Sequence, residues 1–281
     1  MKRIVVLTLL IAAAQTEARR SCMKECDTRN PLPCNSWNLD VHAGVAPIIW
    51  QDRGSIDLIS PTISTTSPAF SLASFPQFHQ LFNVPWTVGG KLGYAVCDHL
   101  EYNLELNYLQ ASKKGNGITA NVLDLDAQTI QLSFGTYKLL DAYFGTRYYF
   151  NRIWCERVAF YLGAKIGMTH HFNTKGVIGV NADVVSMNAI TCTGTTENVC
   201  SLFAKNNVVS GGVSVGFDVR MCDCWSFFVT GEVVASGGPK IINNLLFAQP
   251  TPGPFNATNL ISGSIGTEVR FPVTAGVRYM F

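Results

Sequence analysis

Leu100-Glu101-Tyr102-Asn103-Leu104-Glu105-Leu106-Asn107-Tyr108 alternates without a break. Leu100, Tyr102, Leu104, Leu106 and Tyr108 are apolar or aromatic, and every residue between them is Glu or Asn. Successive side chains of a strand point to opposite faces, so this segment as a strand has one greasy face and one charged face. Wound as a helix, the same residues would scatter around the axis. The segment reads as a strand.

The same period recurs along the chain, in segments at about 37–50, 86–97, 100–111, 137–150, 157–172, 208–221, 225–236 and 267–281. Each is long enough to cross a bilayer as a tilted strand, which needs roughly 9–11 residues in the hydrocarbon. Beyond the N-terminus, no stretch supplies the roughly 18 apolar residues of a transmembrane helix. The connections alternate in length. Asp98-His99, Asn151 to Glu156 and Cys222 to Cys224 are short, whereas 51–85, 113–136, 173–207 and 238–266 are long and rich in Ser, Thr, Asn, Gly and Pro. That rhythm predicts an all-β fold: a closed antiparallel up-and-down transmembrane β-barrel of about eight strands, with short periplasmic turns and long extracellular loops.

The two faces differ in chemistry. One register carries Trp37, Leu39, Val41, Trp86, Val88, Leu92, Phe144, Leu162, Val213, Val215 and Phe227. The other carries Asp40, His42, Lys91, Glu101, Glu105, Asp141, Arg147, Lys165, Asp218, Arg220, Glu232, Glu268, Arg270 and Arg278, interleaved with Gly89, Gly93, Gly145, Gly163, Gly216 and Gly276. A soluble barrel of lipocalin type would place the greasy register inside. Alternation alone fits either orientation. Glycine weakens a solvated strand for no gain, however, while a narrow lumen needs small residues beside long charged ones. Aromatics near the strand ends (Trp37, Trp86, Tyr102, Tyr108, Phe150, Phe172, Trp225 and Tyr279) suit girdles at two membrane interfaces. The expectation is greasy side out. The charged register should then form cross-strand salt bridges that occlude the bore, with Lys91, Glu101, Arg147, Asp218, Arg220 and Arg278 in one network.

At the N-terminus, Lys2 and Arg3 precede an apolar run from Ile4 to Ala14 and then small residues. This reads as a secretory signal over 1–18, cleaved near Ala14 or Ala18. A cysteine-rich periplasmic segment at 19–36 and the barrel at 37–281 follow. A formal net charge of +2 gives no reason to expect a nucleic-acid surface.

Thr274-Ala275-Gly276-Val277-Arg278-Tyr279-Met280-Phe281 has a polar residue, a Gly two later, an aromatic third from the end and a terminal Phe. It resembles the C-terminal β-signal by which outer-membrane proteins are recognised by the barrel-assembly machinery. Gly276, Tyr279 and Phe281 carry that resemblance. Trp86-Thr87-Val88-Gly89-Gly90-Lys91-Leu92-Gly93-Tyr94, the Asp98-His99 turn and the Glu-bearing strand resemble a hairpin of the small eight-stranded outer-membrane barrels. That family includes the transmembrane domain of outer-membrane protein A. The resemblance covers the chain from about residue 37. It implies the cell outer membrane of a diderm bacterium, with outer-membrane lipid and the assembly machinery as partners and no cofactor. A peptidoglycan-binding domain after the last strand is not expected.

Cys22, Cys26, Cys34, Cys97, Cys155, Cys222 and Cys224 all fall on the periplasmic rim of this topology, and Cys192 and Cys200 share one outer loop. An exported chain can oxidise them. Zinc is the competing use, but the spacings lack the paired two-residue gaps of common structural sites. The cysteine usage is similar to that of chlamydial-type major outer-membrane proteins, which implies disulfide links to other cysteine-rich envelope proteins. The chain contains no Gly-x-Ser-x-Gly elbow, phosphate loop or His-Glu-x-x-His. His170 and His171 lie at an outer strand end, with Asp183 and Glu197 beyond, but alternation sends the two histidines to opposite faces. The chain is therefore expected not to be an enzyme. A structural, surface-interaction component of a disulfide-linked envelope is the favoured function. A small porin is the alternative, and it would need a hairpin hidden in a long loop, such as Gly117–Asp126 or Val177–Val185, to widen the bore.

Overall fold

The computed structural model describes residues 31–53, 56–58, 70–72, 77–115, 118–121, 128–153, 157–182, 200–222, 224–241 and 265–281. Residues 1–18, Cys22, Cys26, Cys155, Asp183, Cys192 and Glu197 lie outside these. The strands are β1 (Ser36–Val45), β2 (Ile48–Arg53), β3 (Ile56–Leu58), β4 (Phe70–Leu72), β5 (Trp86–Cys97), β6 (Leu100–Ala111), β7 (Ile118–Asn121), β8 (Gln128–Phe134) and β9 (Tyr137–Tyr149). They continue as β10 (Val158–His171), β11 (Thr174–Ala182), β12 (Cys200–Ala204), β13 (Asn206–Arg220), β14 (Trp225–Gly237), β15 (Lys240–Ile241), β16 (Ile265–Arg270) and β17 (Val273–Met280). Among the described residues one short helix, α1 (Phe78–Leu81), precedes β5. No described helix is long and apolar enough to cross a membrane, which says nothing of strands.

β1, β5, β6, β9, β10, β13, β14 and β17 pair in that order, all antiparallel, and β17 pairs back onto β1 from Asn38↔Met280 to Val45↔Val273. The fold is a closed eight-stranded barrel. Closure leaves no edge strand, so the ring's backbone groups pair from strand to strand, with one irregularity between Ala95 and Cys97 on β5.

Which face is greasy is settled by exposure. Leu104, Leu106 and Ile166 are about 60% exposed, while Glu101 and Glu105 between and beside the leucines are at most 2% exposed. A soluble barrel would have the reverse. Outward rings gather in two bands. At the short-turn rim Trp37 meets Tyr94 at 4.9 Å and Trp225 meets Tyr279 at 4.9 Å. At the long-loop rim Trp86 meets Tyr108 at 5.6 Å. From Trp86 to Tyr94 the strand runs about 26 Å, or about 20 Å along the axis once tilted, near the roughly 25 Å apolar band of outer-membrane barrels. The inward glycines make room for large lumen side chains. A Cβ on Gly216 would lie 2.5 Å from the Tyr161 ring, and one on Gly276 would lie 2.7 Å from that of Phe228.

The long connections differ from the expectation. Four ring strands continue past the bilayer: β9 into β8, β10 into β11, β13 into β12 and β14 into β15, paired in the order β15-β12-β11-β8-β7. β16 and β2 continue β17 and β1 and pair with each other. Together they make a collar above the ring. Ile118–Asn121 and Thr174–Ala182 therefore do not add strands to the ring, and the hairpins that would widen the bore are corrected to collar strands. Outside the bilayer no lipid sorts apolar from polar residues, so period two fades and these strands read as loops.

Candidate functional site

The lumen holds a stack of buried charges. Nearest the short-turn rim, the direct cross-strand neighbours Asp40 and Arg278 form a bidentate pair, with Nε–Oδ1 at 2.7 Å and Nη2–Oδ2 at 2.9 Å. Arg147 reaches across the bore to Asp40 at 3.0 Å and sits 3.8 Å from Glu101 on the neighbouring strand. Arg278 also faces Glu101 at 3.3 Å and Asp218 at 3.9 Å. The Tyr149 hydroxyl donates to Glu101 at 3.2 Å, and the Arg147 guanidinium lies 4.7 Å from the centre of the Tyr161 ring. Two arginines between three carboxylates and the rings of Tyr149, Tyr161 and Phe228 is a buried, mutually held arrangement.

Above this layer, Lys91 pairs with its cross-strand neighbour Glu105 at 3.0 Å. Lys165 spans the bore, bonding Glu105 at 2.9 Å on one side and Glu232 on the other. His42 meets Asn107 at 2.8 Å. The enclosed space bounded by His42, Lys91, Lys165, Glu232 and Arg270 measures about 10 Å³. That is room for one water at most.

The third layer is centred on Arg270. Its Nη1 donates to Asp141 at 2.6 Å, and its Nη2 donates to Tyr143 at 3.0 Å and Thr169 at 2.9 Å. Glu268 accepts from the Trp50 indole at 3.0 Å and from the Tyr137 hydroxyl at 2.6 Å, and the same hydroxyl lies 3.0 Å from His171 Nδ1. Trp50 then leads into an aromatic cap in the collar, with Phe78 at 5.2 Å, Phe203 at 5.8 Å and Phe82 at 6.3 Å between ring centroids. Helix α1 supplies Phe78 and Leu81, and Phe82 follows it, all buried. The spacing of 78, 81 and 82 puts the three on one helical face.

The opposite mouth is closed as well. Leu32 is 2% exposed and packs with Ala95, Tyr149, Ala159 and Tyr161. Arg152, on the β9–β10 turn, fixes that segment by donating to the Pro31 carbonyl at 2.6 Å, and it faces Asp218 at 3.6 Å. With Arg152 included, Lys91, Arg147, Arg152, Lys165, Arg220, Arg270 and Arg278 stand against Asp40, Glu101, Glu105, Asp141, Asp218, Glu232 and Glu268, one carboxylate for each cation.

The single network expected from sequence divides. Glu101, Arg147, Asp218 and Arg278 come together around Asp40, but Lys91 belongs to the next layer with Glu105. Arg220 joins neither: its Nε and Nη1 are buried without a hydrogen-bond partner among the described residues. The reason is the direction each side chain takes around the ring: Lys91 turns to Glu105 on β6, and Asp40 turns to Arg278 on β17. Lys91 and Asp40 are opposite one another, yet their side chains reach toward partners on other strands. His171 is buried under the cap, while His170 is half-buried beside Asn207 and Phe172, so the two do not meet. Sequence reasoning missed Arg152, which lies in a turn, and Leu32. Trp50 was findable, since it shares the parity of Asp40 and His42.

No protein-family model and no curated protein matches the chain. Among solved structures it is similar to Neisserial surface protein A, at 11% identity, covering 87% of this chain and 97% of that one with a TM-score of 0.39. It is similar to the attachment invasion locus protein Ail of Yersinia pestis, solved with the heparin analogue sucrose octasulfate, at 11% identity, 87% and 99% coverage and a TM-score of 0.35. The outer membrane protein OprG from Pseudomonas aeruginosa is similar at 14% identity, 88% and 97% coverage and a TM-score of 0.35.

At the short-turn rim, Cys34 Sγ donates to Asp98 Oδ1 at 2.7 Å, and that bond pushes the thiol's pKa up from its ordinary value. Cys34 and Cys97 are both exposed, and neither is in a disulfide with another described cysteine. Cys222 and Cys224 flank the β13–β14 turn on the same rim. Gly276 and Tyr279 lie on the closing strand, and Phe281 follows it directly. The Phe281 amide donates to Trp37 O at 2.9 Å and its carbonyl accepts from Trp37 N at 3.0 Å, which zips the chain end to β1.

Proposed function

We propose that this protein is a sealed outer-membrane β-barrel, in which the ring anchors a surface-exposed collar that meets other molecules, and that it does not conduct solutes. The observation that carries the reading is the lumen: charge-paired layers around a cavity of about 10 Å³, closed by Trp50 and Phe82 above and Leu32 below. Eight strands leave an interior just wide enough for side chains to fill. The outward apolar face and the two aromatic bands support the membrane location, and the long-loop collar would face outside the cell. Gly276, Tyr279 and Phe281 would serve the assembly machinery as the closing strand is delivered. In a planar bilayer the purified, folded protein is expected to give no stable current. A large, steady, ohmic conductance would sink this reading and restore the porin.

The finer part of the proposal is covalent linkage. Cys34 and Cys97 are exposed on the rim that would face an oxidising periplasm, where a neighbour's thiol can reach them. Native envelopes run without reductant should yield higher-mass species that collapse to monomer with thiol. Monomer alone would remove the linkage and leave the anchor.

A further inference from the structure

The lysines of this barrel are sorted by place. Lys91 and Lys165 lie in the lumen. Lys113, Lys114, Lys138, Lys175, Lys205 and Lys240 are all exposed at the long-loop rim. They sit over consecutive strands of the ring: two just past β6, one at the start of β9, one on β11 above β10, one between β12 and β13, and one on β15 above β14.

Register sets their height. Lys138 is opposite Gln110, which is opposite Trp86, and the Lys138 carbonyl accepts from the Phe172 amide at 3.1 Å. One row therefore carries Trp86, Lys138 and Phe172. Lys175 is three residues past Phe172, about 10 Å along a strand, and Lys240 pairs with Ala204, the neighbour of Lys205. Alternation turns Lys138 to the same face as Leu140 and Phe144, which is the lipid face. Lys114 is engaged, since its ammonium donates to the His79 carbonyl at 3.1 Å. Among the residues whose side chains are described, no carboxylate shares this arc: the acidic groups point into the lumen, except Asp98 at the opposite rim.

An ammonium at the level of an interfacial Trp lies among lipid headgroups, with its stem along the apolar surface. A row of cations with no acid between them repels itself unless anions come in from outside. We infer that Lys113, Lys138, Lys175, Lys205 and Lys240 form a binding arc for the phosphate groups of anionic lipids in the leaflet on the long-loop side. The inference rests on the membrane-spanning reading above. Near an anionic membrane surface one lysine is worth about fivefold in affinity.

The test uses the full chain in phosphatidylcholine bilayers with a trace of chain-spin-labelled phosphatidylcholine or phosphatidic acid. The motionally restricted fraction of the label reports lipid touching the barrel. Phosphatidic acid should be preferred about fivefold or more at low salt, and the preference should shrink in about 1 M salt, where screening acts within 3 Å. It should fall toward equality in a Lys138→Gln, Lys175→Gln, Lys205→Gln variant and survive in Arg157→Gln, a cation exposed at the opposite rim. Equal association in the unsubstituted protein, or a preference that the triple variant keeps, overturns the inference. A soluble polysulfate that binds without any lipid preference, and is lost in the triple variant, overturns it in favour of a soluble polyanion. Restriction of neither label would refute the spanning reading itself.

Discussion

Asp40→Asn removes one carboxylate from the densest part of the lumen while keeping its shape. The Asp40 side chain is fully buried and accepts from Arg278 at 2.7 and 2.9 Å and from Arg147 at 3.0 Å. A hydrogen bond to a charged partner is worth about 1.5–3 kcal/mol net, so three such bonds set a ceiling near 9 kcal/mol. Glu101 remains 3.3 Å from Arg278 and 3.8 Å from Arg147 and takes over part of the task. Breaking one partner of a buried ion pair costs about 3–5 kcal/mol, and that is the expected loss. Urea unfolding of vesicle-inserted protein, followed by tryptophan fluorescence and checked for reversibility, reads it directly. Arg278→Met should cost less in the Asp40→Asn background than alone, with a coupling of about 2 kcal/mol. A loss below about 1 kcal/mol with no coupling would show that the lumen charges are spectators, and the reasoning would fail.

Leu106→Arg places a charge on the lipid face, where Leu106 is 59% exposed, and should destabilise the inserted barrel by about 2–4 kcal/mol; a neutral result in bilayers contradicts the lipid-facing assignment. Because the Asp98 hydrogen bond raises the Cys34 pKa, less thiolate is present at a given pH than for an ordinary thiol. Asp98→Asn should therefore move the alkylation profile of Cys34 to lower pH, and an unmoved profile refutes the contact. Phe281→Asp should lower the yield of inserted, protease-resistant barrel, since the chain end that pairs with Trp37 loses its aromatic ring; a normal yield counts against its part in assembly.

The ring strands and their sidedness were legible because lipid enforces period two across the whole thickness of the bilayer, as in Leu100–Tyr108. What was not legible depends on the third dimension. Parity says that Lys91, Glu101 and Arg147 point inward, but not which layer each joins. Partners such as Lys165 and Glu232 are brought together only by closure of the ring. Arg152 lies in a turn and has no parity to read, yet it supplies the cation opposite Asp218. The collar strands escaped because they are short and because buried residues such as Trp50, Phe134 and Phe203 turn into the aromatic cap without a sustained period of two. Leu32 and the α1 aromatics close the mouths from segments outside the ring, where a short apolar patch has no periodic context.

The prolines at the join between ring and collar have a further consequence. Pro47, Pro85 and Pro272 stand at one height on neighbouring stretches, and their carbonyls accept from Phe271, Ala46 and Glu232 at 2.9, 3.0 and 2.9 Å. None of the three can donate in return. The hydrogen-bonded fabric is thus thinned along a line that runs around this side of the barrel, just above the membrane. Below it, pairing is continuous and sealed by lipid; above it, strands begin afresh with Ile48 and end with Arg270. Across this seam buried side chains join collar to ring, Glu268 accepting from Tyr137 and Arg270 donating to Asp141 and Thr169 where the proline main chain has no donor to offer.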